Sequence, residues 1–172
     1  GWNGIALWDQ ITWTYHVYQT TVSNNIVIGN TRTGIDLAGS TYKNILRGNN
    51  VTGNQMHGIS LRNAPDTTVT NNTVSENVIF GIYVSGTSSS KIYHNNIIGN
   101  TNQAFEDGDN MWNLAYSGGG NYWSDLTSPD DYGGPSQSIA GADGFVDVPR
   151  VIPGGANQDM YPWTTKDGWI GY

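Results

Sequence analysis

Cysteine is absent from the 172 residues. That excludes a disulfide scaffold, thiolate catalysis and any Cys-based zinc or iron–sulfur site. Charge is scarce: Asp, Glu, Lys and Arg make up 12%, against about 25% in an average domain. A disordered chain would also be poor in aromatics, but here they make up 12%. No apolar run reaches the roughly 18 residues of a membrane span. No leader-type segment stands at the start, so the sequence alone reads as cytosolic, already processed or a fragment. No apolar stripe at helical spacing extends over three turns.

Glycine and asparagine are abundant, with 23 and 20 residues. The charge is uneven. Residues 1–100 hold five basic and four acidic groups, whereas residues 101–172 hold two basic and ten acidic ones. Neither part has the clustered Lys and Arg that phosphate binding needs, which argues against a nucleic-acid partner.

A repeat runs through the first part. Gly4-Ile5-Ala6-Leu7, Gly34-Ile35-Asp36-Leu37, Gly58-Ile59-Ser60-Leu61 and Gly81-Ile82-Tyr83-Val84 follow one another at spacings of 30, 24 and 23 residues. Ala104-Phe105 continues the series in degraded form. Two asparagine columns keep step with it: Asn25, Asn49, Asn72 and Asn95, then Asn30, Asn54, Asn77 and Asn100. Both advance by 24, 23 and 23 residues. Apolar residues alternate over only three to five positions, which predicts short strands between turns. Three such strands per unit describe one rung of a parallel β-helix, with rungs about 4.8 Å apart. Inward asparagines would then bond between rungs as structural ladders, and they tolerate the left-handed corners such a coil needs. A leucine-rich repeat would need more leucine than Leu7, Leu37, Leu46 and Leu61. The expected architecture is all-β: a right-handed parallel β-helix of four to five coils over residues 1–110. An irregular cap rich in aromatic and acidic residues follows over residues 111–172.

The end of the chain carries a resemblance. Gly119-Gly120-Asn121-Tyr122-Trp123-Ser124-Asp125 resembles the GGNYWSD segment that closes many NosD-like parallel β-helix proteins of archaea. Asp143-Gly144-Phe145-Val146-Asp147-Val148-Pro149 resembles their DGIGDTP. Ile152 to Asp159, with Tyr161-Pro162, resembles IPGGxNQDxYP. Val146 replaces a glycine there, and Arg150 stands where tyrosine is common. The resemblance covers nearly the whole chain and implies an exported or cell-surface protein of structural or adhesive role. It also implies a test for copper, which takes His, Met or Cys ligands. His16, His57, His94, Met56, Met111 and Met160 are the residues available, and they read as scattered.

Four further features invite chemistry. Asp130, Asp131, Asp143 and Asp147 crowd a Gly- and Pro-rich stretch beside Asp125 and Asp159, and hard cations take carboxylates on a turning backbone. A calcium site there competes with a plain solvated acidic loop. Trp8, Trp13, Tyr15 and Tyr18, with Trp2, fall in the one long unit. Flat aromatic faces suit sugar rings, and a hydrophobic plug or protein contact is the competing reading. Catalysis on polysaccharide would need gathered carboxylates, yet the coils offer only Asp9, Asp36, Asp66 and Glu76, and no second acid stacks beside Asp36. A non-catalytic chain is therefore expected. Asn50 and Asn71 match the N-glycosylation acceptor pattern.

A β-helix has two ends whose backbone must be covered. The repeat decays after Asn100 into the presumed cap, whereas Gly1 to Ile5 begins inside a repeat. Either preceding coils of a longer chain or a second copy, docked head to tail, is expected to cover that end. A non-closing contact of the second kind builds a filament. The sequence thus predicts a self-assembling structural protein, with a carbohydrate-binding module as the alternative and a polysaccharide-active enzyme third.

Overall fold

A computed structural model describes residues 2–9 and 17–172. Among them the chain winds through four three-stranded rungs and part of a fifth. The first holds β1 (Ile5–Trp8), β2 (Thr21–Ser23) and β3 (Ile26–Ile28). The second holds β4 (Ile35–Ala38), β5 (Ile45–Arg47) and β6 (Asn50–Thr52). The third holds β7 (His57–Arg62), β8 (Thr68–Thr70) and β9 (Thr73–Ser75), and the fourth β10 (Phe80–Ser85), β11 (Lys91–Tyr93) and β12 (Asn96–Ile98). β13 (Asn102–Glu106) and β14 (Tyr122–Trp123) belong to the incomplete fifth. Equivalent strands pair in parallel, in the orders β1-β4-β7-β10-β13, β2-β5-β8-β11 and β3-β6-β9-β12-β14. The fold is thus an all-β parallel solenoid, as the repeat predicts.

Register stacks like on like. Ile5, Ile35, Ile59, Ile82 and Ala104 form one inward column, and Leu7, Leu37, Leu61 and Val84 a second. Val22, Leu46, Val69 and Ile92 form a third, and Val27, Val51, Val74 and Ile97 a fourth, topped by Trp123. Every column member from Ile35 to Ile97 is fully buried. Burying each such side chain contributes about 1.5–3 kcal/mol. The repeated glycine has a steric cause. A Cβ on Gly58 would stand 2.5 Å from Val74 and 2.6 Å from the amide nitrogen of Asn77, so the corner closes only without one.

The polar interior is a relay of amides. Asn25 donates its backbone N–H and its Nδ2 to Asn49 Oδ1, both at 3.0 Å. Asn49 does the same to Asn72, Asn72 to Asn95, and Asn95 to Asn121. The relay ends on Asp159 Oδ2, which accepts the Asn121 N–H at 2.7 Å and its Nδ2 at 3.3 Å. A second relay runs from Asn30 through Asn54, Asn77 and Asn100 to Gln103 Oε1. A third corner is mixed in type. Thr67 N–H donates to Ser90 Oγ, Ser90 N–H to Asn110 Oδ1, and Asn110 Nδ2 to Glu106 Oε2. Glu106 lies fully buried in register with Val84, where the apolar column would continue.

Residues beyond Glu106 close the far end. Met111 bridges to Lys91 and Trp163 to Tyr122, while Trp112 and Trp123 pack together at 5.9 Å over the last rung. Two antiparallel pairs follow, β15 (Tyr132–Gly133) with β16 (Ile139–Ala140) and β17 (Arg150–Val151) with β18 (Gln158–Asp159). The first rung, by contrast, forms the edge of all three sheets.

Candidate functional site

The sheet that contains β1, β4, β7, β10 and β13 turns one row of side chains outward: Ala6, Asp36, Ser60, Tyr83 and Phe105. Asp36 points outward, as its place between Ile35 and Leu37 requires, yet it is 2% exposed. Three donors converge on its Oδ2: Arg62 Nη2 at 2.8 Å, Asn3 Nδ2 at 2.9 Å and Trp8 Nε1 at 3.2 Å. Its Oδ1 is buried and accepts no hydrogen bond among the described residues. Ser60 Oγ, on the neighbouring strand, and His57 Nδ1 are also buried without a partner. A buried polar group left unpaired costs about 1–3 kcal/mol, so three on one face require an explanation. His57 stacks on Tyr83 at 4.6 Å, and Tyr83 on Phe105 at 5.3 Å. Burial holds the His57 imidazole below its ordinary pKa against the pull of Asp36.

A second outward row runs Trp8, Ala38, Arg62 and Ser85. Trp8 and the Arg62 side chain are 50% and 44% exposed. Between them, over Ala38 and Gly39, lies a hollow of about 220 Å³. In the next turn Tyr18 stacks on Tyr42, with ring centroids 5.3 Å apart and planes 9° apart. A larger hollow of about 550 Å³ adjoins Tyr42, lined by Ser40, Lys43, Asn63, Pro65 and Asp66. Of the four aromatics expected to contact a sugar or partner, Trp8 lines a hollow and Tyr18 stacks on Tyr42, which lines another. Trp13 and Tyr15 lie outside the described residues. Asp36, Ser60, His57 and Tyr42 are new to the site. Asp36 is disguised in sequence by its single carboxylate, and Ser60 and His57 by their ordinariness.

The acidic residues of the cap have another employment. Asp130 accepts the backbone N–H groups of Asp143 and Gly144, both at 2.9 Å. Asp147 accepts those of Asp131 and Tyr132. Asp143 accepts Tyr116 Oη, Gly134 N–H and Gln137 Nε2 on one oxygen and Phe145 N–H on the other. Asp131 is exposed. These carboxylates clamp turns, and among the described residues no group of three His, Asp or Glu is placed to hold a metal ion. The calcium expectation gains nothing from this geometry. Asn50 and Asn71 are both exposed, on β6 and at the corner before β9.

The family model described as periplasmic copper-binding protein (NosD) matches residues 7–128, which takes in the solenoid from its first strand to the last. The chain belongs to the NosD family. That description names the periplasm, in keeping with an exported or cell-surface protein. No curated protein and no solved structure matches the chain. Copper was tested against the residues present. His57 stands on the outward face of the first sheet. His94 is stacked on Trp169 at 5.2 Å with its Nε2 against Gly118 O, and Met111 and Met160 lie in the cap. His16 is outside the described residues. Met56 stands just before β7, next to His57 in sequence, and among the described residues neither His57 nor His94 belongs to a group of three His, Asp or Glu placed to hold a metal ion. Among the described residues no helix is long and apolar enough to cross a membrane.

Proposed function

We propose that this NosD-family chain is a non-catalytic, exported adhesive β-helix that contacts saccharide through the aromatic corner of its long first unit. One observation carries the reading: the Tyr18–Tyr42 stack beside a hollow rimmed by Lys43, Asp66, Asn63 and Ser40. A flat aromatic face with polar groups at its edge suits the apolar face and hydroxyl rim of a sugar ring. The test is titration with neutral oligosaccharides, followed by tryptophan fluorescence and calorimetry. Binding that Tyr42→Ala weakens tenfold or more supports the reading. No heat and no fluorescence change with any neutral glycan would refute it.

A second reading, end-on association, is favoured by the first rung. β1, β2 and β3 are the edge strands of their sheets, so their outer backbone groups face the end of the coil. The amide relays donate toward the cap, so Asn25 and Asn30 face the edge as acceptors. The expected head-to-tail stack meets one restriction. Residues 111–163 cover the last rung, so a copy would dock its cap, not an open rung, against β1 to β3. Light scattering tests this: concentration-dependent association supports it, and a monomer at all concentrations contradicts it.

A further inference from the structure

We infer that the slot between Trp8 and Arg62 is a subsite for one neutral pyranose ring, whose adjacent hydroxyls bond to Asp36 Oδ1 and Ser60 Oγ. This inference rests on the saccharide reading and gives it a second, specificity-setting contact apart from Tyr42.

The slot follows from the register. Trp8, Ala38 and Arg62 are consecutive members of one outward row. The small Ala38 therefore leaves a gap two strand spacings wide, about 9.6 Å, between an indole and a guanidinium. Both walls are held by the same atom, Asp36 Oδ2, through Trp8 Nε1 and Arg62 Nη2. Ala6, beside Asp36 in the first rung, adds no bulk. Both walls reach the surface, Trp8 at 50% and the Arg62 side chain at 44% exposure, and each donates one bond to Asp36. Their displacement by an entering ring uncovers what lies next to them.

What lies there is a set of unspent hydrogen-bonding groups. Asp36 Oδ1, Ser60 Oγ and His57 Nδ1 are all buried without a hydrogen-bond partner among the described residues. Asp36 and Ser60 are register partners on adjacent strands. Two hydroxyls on neighbouring ring carbons can serve this pair, one donating to the carboxylate and the other exchanging with the serine. Arg62 and Asp36 pair at 2.8 Å and offset each other's charge, so the pair favours neither a cation nor an anion. A neutral polyhydroxyl ring satisfies the polar atoms and stacks its apolar face on Trp8.

The test uses the intact chain and a panel of methyl pyranosides that differ in the configuration of adjacent hydroxyls, read by the NMR signals of the Trp8 indole N–H and the Ser60 amide. The expected result is a saturable shift of both signals by at least one member, in the millimolar range typical of single sugars. Ser60→Ala should weaken that binding at least fivefold while leaving the melting temperature unchanged or higher, because it deletes a buried hydroxyl with no partner. A purely structural serine would not separate the two readouts. Trp8→Leu, which removes a wall from the surface, should abolish the shift of the Ser60 amide. If a pyranoside binds but moves only the Tyr18 and Tyr42 signals, and Ser60→Ala binds it normally, the subsite is overturned and the saccharide reading stands. If none of the panel, and no oligosaccharide, produces a shift, both fall.

Discussion

The coils and the cap solve the same problem with opposite chemistry. Both must satisfy polar groups away from water, at about 1–3 kcal/mol for each failure. The coils use neutral amides, each accepting two N–H bonds from the rung before and donating two to the rung after, so that a single residue type can be stacked indefinitely. The cap uses carboxylates, which accept without donating. Asp130, Asp143 and Asp147 each gather two or more N–H groups from an irregular backbone. The two chemistries meet where the relays end. The first asparagine relay ends on the Asp159 carboxyl and the mixed third corner on Glu106, while the second asparagine relay ends on the amide oxygen of Gln103. Gly120 is part of that junction, since a Cβ there would fall 1.8 Å from the Asp159 carboxylate.

The comparison is broken most severely in the middle of a relay. Asn72→Ala strands the N–H and Nδ2 of Asn49 and removes the bonds from Asn72 Nδ2 to Leu46 O, Thr70 O and Asn95 Oδ1. We expect a loss of about 4 kcal/mol in denaturant unfolding. Asn30→Ala, at the half-buried start of the other relay, should cost only about 1 kcal/mol. Equal losses would mean that the relay is not a cooperative chain.

The junction comes next. Burial pushes the Asp159 carboxyl up to about 7, while N–H groups of Asn121, Trp123 and Tyr161 pull it back. The folded state then holds this proton more tightly than the unfolded chain, whose carboxyl titrates near 4. Stability should be greatest near pH 4 and fall as pH rises to about 7, by up to about 4 kcal/mol. Melting curves across that range should show the slope, and Asp159→Asn should flatten it. A wild-type profile already flat from pH 4 to 7 would mean that the donors outweigh burial.

The clamps within the cap should matter less. Burial opposes ionisation of Asp143, but hydrogen bonds from Gln137, Tyr116, Phe145 and Gly134 outweigh it and hold its pKa below the ordinary value. Its contribution is present above pH 4 and lost as pH falls through that lowered value. Asp143→Ala should cost about 1–2 kcal/mol, and melting in calcium and in EDTA should agree within a degree. A calcium-dependent rise would restore the cation site. The smallest effect belongs to the surface. Arg150 makes a bidentate pair with Asp125, both bonds at 3.0 Å, and lies 5.2 Å over the Trp123 ring. Arg150→Ala should cost under about 1 kcal/mol, as exposed pairs do.

The coils were legible because stacking forces equivalence: one residue type per column, repeated at rung length, is visible as a pattern. The third corner escaped because Thr67, Ser90 and Asn110 do the same work with three residue types. Glu106 escaped because it occupies an apolar column. Asn121 carried a signal, since Asn121-Tyr122-Trp123 repeats the form of Asn95-Asn96-Ile97. In the cap the carboxylates suggested a cation because their partners, backbone N–H groups up to 16 residues away, leave no trace in composition. The face around Asp36 was hidden for a similar reason. Trp8, Asp36 and the Ser60–Arg62 pair come from three different rungs and meet only after the coil has closed.

The first asparagine relay joins coil to cap through Asp159. Native-state hydrogen exchange on the intact chain, wild type against Asp159→Ala, tests it most directly. The account predicts that backbone amides of Asn72, Asn95 and Asn121 exchange with a common free energy, and that the substitution lowers all three together. Loss of protection confined to residues 111–172, with Asn72 and Asn95 unchanged, would show the cap to be a mere cover and contradict it.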